Sequence, residues 1–183
     1  VTTPPNDATP NVVITTDEAG TIAVGGTSGC GLSSTATMVS GQNTVTLTIT
    51  DSTEGAYVCT ITFTDTLNTV ASALTLTSFT LDTSVATPSE TTVVTTPTND
   101  ETPDVVITTT QAGTIVVGGT SGCGVGSAAV VSGEQTVTLS ASGGDKEYTC
   151  TITFTDSAGN EASALSLTPF TLDNAVATPS ETT

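Results

Sequence analysis

The feature that most constrains this chain is an internal repeat. VTTPPNDATPNVVITTDEAGTIAVGGTSGCG at residues 1–31 returns as VTTPTNDETPDVVITTTQAGTIVVGGTSGCG at residues 94–124, 93 positions later. Beyond the first cysteine of each copy the offset falls to 91: YVCTITFTD at 57–65 returns as YTCTITFTD at 148–156, and SFTLD at 78–82 as PFTLD at 169–173. Self-similarity at this spacing calls for two domains, each closing a core of its own. The expected division is a first repeat over residues 1–84, a linker over 85–93, and a second repeat over 94–183 that ends in the next linker. The closing VATPSETT at 176–183 matches 85–92, so the phase of the repeat suggests two units of a longer array, or a unit that joins end to end.

Within each repeat the apolar pattern has period 2, which is the signature of a strand with one face buried. Tyr57, Cys59, Ile61 and Phe63 fall on one face, against Val58, Thr60, Thr62 and Thr64 on the other. Tyr148, Cys150, Ile152 and Phe154 repeat the pattern. Val45, Leu47 and Ile49 alternate with threonines in the strand before. Threonine is β-branched and suits a pleated, solvated surface without carrying charge. A last strand is expected over about 72–82, with a bulge near Thr77 and Ser78 where the apolar phase inverts. Short strands separated by Gly, Asn, Asp and Ser turns predict an all-β fold, an antiparallel β-sandwich in each repeat.

Composition excludes several kinds of work. The 183 residues include one Lys or Arg, no His, no Trp and 18 acidic residues, for a formal charge of −17. A single cation offers no patch for phosphates, so no nucleic acid partner is expected, and no run of apolar residues is long enough for membrane insertion. The Ser-His and Cys-His catalytic pairs need an imidazole, and no carboxylate pair stands out by spacing, so the chain is not expected to be an enzyme.

Tyr57 and Tyr148 each open a strand two residues before a cysteine. That placement matches the tyrosine corner of immunoglobulin-like sandwiches and gives both residues a structural role. Taken with the AGTI turns, the TDSAGN loop at 155–160 and the FTLD exit strands, the chain resembles the bacterial Ig-like (Big) repeats found in tandem on surface and secreted proteins. The resemblance covers both copies. Copy one departs from it at TDTLNT, residues 64–69, where the Ala-Gly-Asn turn is missing. It implies two tandem immunoglobulin-like domains outside the cell, in a stalk, adhesin or filament. Its partners would be further copies of the same repeat. The alternative is a binding module that contacts a cell-surface or glycan partner through its polar loops.

Repeat symmetry favours one disulfide per copy, Cys30 with Cys59 and Cys123 with Cys150, among the three connectivities that four cysteines allow. Asp82, Asn99, Asp100, Asp156 and Asn160 are candidate Ca²⁺ ligands if the end of one repeat meets the top of the next, since Ca²⁺ favours carboxylate and amide oxygens. The same residues suit solvated turns equally well. Apart from Ca²⁺ no cofactor is expected. The Ser, Thr and Pro content of DTSVATPSETT at 82–92 suits an extended spacer, or else a strand donated to a neighbouring subunit, for which Val85, Val93 and Val94 offer weak apolar anchors.

Overall fold

The structure is a computed structural model that describes residues 6–33, 37–51, 53–120, 122–124 and 128–181. The chain divides into two compact units, Val1–Thr83 and Ser84–Thr183. Among the described residues both are all-β, and no helix is long and apolar enough to cross a membrane.

The first unit contains β1 (Asn11–Thr16), β2 (Gly20–Gly26), β3 (Cys30–Leu32), β4 (Thr37–Met38), β5 (Gly41–Ile49), β6 (Gly55–Tyr57), β7 (Cys59–Asp65), β8 (Leu74–Thr75) and β9 (Phe79–Leu81). One sheet runs β1-β5-β3, the other β4-β2-β7-β8, and β6 pairs with β9. Alternation decides which side chains meet between the sheets. Val12, Val45, Leu47 and Ile49 join Ile22, Met38, Cys59 and Ile61 in one buried cluster, while the threonines of β5 and β7 take the other face.

The second unit contains β10 (Ser89–Thr92), β11 (Asp104–Thr109), β12 (Gly113–Gly119), β13 (Cys123–Gly124), β14 (Ala128–Val130), β15 (Gly133–Thr138), β16 (Ser140–Ala141), β17 (Lys146–Tyr148), β18 (Cys150–Asp156), β19 (Leu165–Ser166) and β20 (Phe170–Leu172). Its sheets run β10-β11-β15 and β14-β12-β18-β19, with short pairs β13-β16 and β17-β20. Val105, Ile107, Ile115, Ile152 and Phe154 form the centre of the core, each fully buried. The AGTI motif has a packing reason here. A Cβ on Gly113 would lie 2.2 Å from the Thr155 carbonyl oxygen and 2.8 Å from the Phe154 ring, so β12 can start against β18 only on a glycine. Gly20 stands in the same relation to Thr64 and Phe63.

Two expectations are corrected. Residues 85–93 are not a linker, because β10 lies within them and pairs with β11, with Ser89 opposite Thr108 and Glu90 opposite Ile107. A Ser/Thr/Pro composition reads as spacer, yet an edge strand needs only backbone hydrogen bonds and an occasional apolar anchor, here Val85 against the core and a buried Pro88. The last strand expected over 72–82 is two strands. Leu74 pairs with Ile61 and Phe79 with Tyr57, because the partner ladder is itself interrupted at Val58, whose N–H is taken by Thr27 Oγ1 at 2.9 Å.

Candidate functional site

Each unit carries an inter-sheet disulfide, Cys30–Cys59 and Cys123–Cys150, with Cα–Cα distances of 5.8 and 5.7 Å. The central strands β7 and β18 place Cys59 and Cys150 in the core, and the short β3 and β13 bring their partners over them. With the half-cystines 29 and 27 positions apart in sequence, loop closure removes about 3.5 kcal/mol of unfolded-state entropy in the chain-entropy account.

Beside each disulfide a tyrosine fixes the preceding turn. Tyr148 is fully buried and stacks on Phe170 with ring centroids 5.4 Å apart. Its hydroxyl donates to the Gly144 carbonyl at 3.0 Å and accepts from the Gly143 N–H at 2.7 Å. Tyr57 stacks on Phe79 and reaches Asp51 Oδ1 at 2.7 Å as well as the Thr53 carbonyl. The hydrogen bond to the Asp51 carboxylate, reinforced by burial and by its negative charge, raises the Tyr57 phenol above its ordinary value, although the Thr53 contact opposes this. Lys146 places its ammonium 4.9 Å from the centre of the Tyr148 ring, a cation–π contact.

The most organised polar cluster is the turn after β18. Asp156 Oδ1 accepts the N–H groups of Ala158 at 2.8 Å and Asn160 at 2.9 Å, and Oδ2 accepts Asn160 Nδ2 at 3.0 Å. The carboxylate is only 7% exposed. Burial pushes its pKa up, but the hydrogen bonds from the Asn160 side chain and from the backbone of Asn160, Ala158 and Gly159 outweigh this and hold it below the ordinary value. Asn160 Nδ2 also reaches the Ser84 carbonyl at 3.2 Å, and Gln111 Oε1 accepts the Ala86 N–H. Further along the segment, Glu90 Oε2 accepts from Thr168 N–H at 2.8 Å and Oγ1 at 2.7 Å. Thus the incoming segment 84–92 is held by side chains from three different loops of the second unit.

Of the candidate calcium ligands, the second unit holds Asn99, Asp100, Asp156 and Asn160, and it brings only Asp156 and Asn160 together. Asn99 and Asp100 precede the start of β11, whereas Asp156 stands with Thr109 and Gly113 at the other end of the sandwich. Six residues of extended strand span about 20 Å, which separates the pairs. Asp100 closes its own turn, accepting the Thr102 N–H at 2.8 Å and Oγ1 at 3.0 Å. Asp82, half-buried, follows β9 in the first unit. Among the described residues no group of three or more His, Cys, Asp and Glu side chains could hold a metal. The residues that sequence reasoning passed over are Pro88, Glu90 and Gln111, while Val85 stood out only as a weak apolar anchor. For Pro88 and Glu90 the signal was the unbroken return of VATPSETT, eight identical residues where a mere spacer would have drifted.

Residues 84–174 match the bacterial Ig-like domain family. That span starts at the residue whose carbonyl Asn160 holds and ends two residues past β20, so it takes in the β10 segment. A search of curated proteins finds no match.

Proposed function

Starting from the second unit's membership of the bacterial Ig-like domain family, we propose that the chain is a structural extracellular protein whose tandem repeats form part of a surface stalk, adhesin or filament. The observation that carries this reading is the repeat itself: two units of one sequence, each stapled between its sheets by a disulfide. Disulfides persist in oxidising compartments, and bacterial Ig-like modules are non-catalytic parts of surface and secreted proteins. A surface clad in threonine, with a single lysine in 183 residues, offers trypsin almost nowhere to cut. Further copies of the same repeat are the natural partners, since VATPSETT, which enters the second unit at 85–92, recurs at 176–183.

Lys146 makes the location testable. Intact cells and medium are treated with an amine reagent that does not cross membranes, and the peptide containing Lys146 is followed by mass spectrometry. Labelling without lysis is the expected result. Labelling only after lysis overturns the extracellular assignment.

A further inference from the structure

The two units share a sequence but not a covering. In the second, β10 lies along the outer edge of β11, with Val85 on the core and Pro88 buried. In the first, β1 has the corresponding sequence and pairs with β5 on one side, and among the described residues no strand pairs with its other edge. Exposure records the difference position by position. Ile107, Thr109 and Phe154 are 0, 2 and 0% exposed, whereas their counterparts Ile14, Thr16 and Phe63 are only half-buried.

An open groove runs along this edge. One cleft of about 260 Å³ is lined by Ile14, Ile22, Met38, Ile61 and Phe63. A second of about 290 Å³ continues it past Glu18, Asp65 and Thr69. Glu18 stands where Gln111 accepts the Ala86 N–H, and Thr69 where Asn160 reaches the Ser84 carbonyl. The groove of the first unit therefore follows the path that segment 84–92 takes in the second.

The sequence VATPSETT occurs twice in the 183 residues. At 85–92 it supplies β10; at 176–183 its described part, residues 176–181, is exposed, with Val176 at 89%.

We propose that the groove of the first unit is a docking site for segment 176–183 of a second copy of this chain, which adds to β1 as an antiparallel edge strand in the register β10 takes on β11. Ser180 then lies opposite Thr15 and Glu181 opposite Ile14. Val176 and Pro179 take the places of Val85 and Pro88, and Glu181 accepts from the exposed Thr77, the counterpart of Thr168. Backbone hydrogen bonds supply the affinity, and the apolar anchors set the register. The inference rests on the reading of the chain as a repeat that joins further copies, and it names the join.

The test compares the full chain with a variant ending at Ala175, which keeps every described residue of the folded sheets, by sedimentation at physiological ionic strength. The full chain is expected to associate as concentration rises, and the shortened chain to remain monomeric. A synthetic peptide of residues 176–183, titrated into the shortened chain, is expected to shift the amide signals of Ile14, Thr15 and Phe63. A Val176→Asp peptide should bind about tenfold more weakly, through loss of one half-buried valine like Val85. Identical sedimentation of the two chains, a peptide that leaves β1 unperturbed, or a full chain that protects β1 while monomeric each overturns the proposal. The surface labelling of Lys146 does not depend on this contact, so a failed titration with a labelled surface protein removes the docking and leaves the extracellular reading standing.

Discussion

Asp156 and Asp65 occupy the same position in the repeat, and each closes the turn after its strand. Asp65 Oδ1 accepts the N–H groups of Thr69 at 2.7 Å and Leu67 at 2.8 Å. These bonds, Thr69 first, hold its pKa below the ordinary value although partial burial opposes them. A carboxyl depressed in the folded state binds fewer protons there than in the unfolded chain. Its contribution to stability is thus complete above the ordinary value of 3.8 and is lost as pH falls through the folded value. Replacing Asp156 with Asn removes that share from the second unit. Thermal unfolding followed between neutral pH and about pH 2, below the ordinary carboxylate range, should show a second-unit transition that falls less steeply with acid in the Asp156→Asn variant; parallel curves would contradict the account. Sequence alone marks Asp156 and Asn160 as a polar pair but not their use. An aspartate that clasps its own turn and one that faces a cation have the same spacing, and only the direction of the carboxylate separates them.

At the scale of elements, legibility follows the length of the alternating run. β5, β7 and β18 carry seven to nine residues each with a clear inside and outside, and their faces can be read directly from Val45, Leu47, Ile49 or Cys150, Ile152, Phe154. β8, β9 and β10 run to four residues at most, too few for a period, and their pairing is decided by what lies beside them. For β10 the missing information is the groove it fills, which no property of Ser, Thr and Pro encodes. The cysteines were legible because repeat symmetry favours a pairing inside each copy. Replacing Cys123 and Cys150 together with Ala is expected to lower the stability of the second unit by about 3.5 kcal/mol, read as a denaturant midpoint that shifts for that unit alone. A shift equal to the effect of adding reductant to the native chain supports the entropic account, and an unchanged midpoint contradicts it.

For the whole molecule, charge and repeat act together. A formal charge of −17 with one basic residue leaves the chain without a cationic patch. The strand faces achieve solvation with threonine instead of charge, while the carboxylates shown at Asp51, Asp65, Asp100 and Asp156 close turns. Such a unit presents little that is chemically reactive and has its sheets covalently tied, properties suited to repeated use in an exposed array. The central claim is that this protein works as a repeated structural element outside the cell, and electron microscopy of the native material tests it most directly. The account predicts elongated stalks or filaments with density repeating once per sandwich unit, and discrete compact monomers that bind glycans or cells through their loops would contradict it.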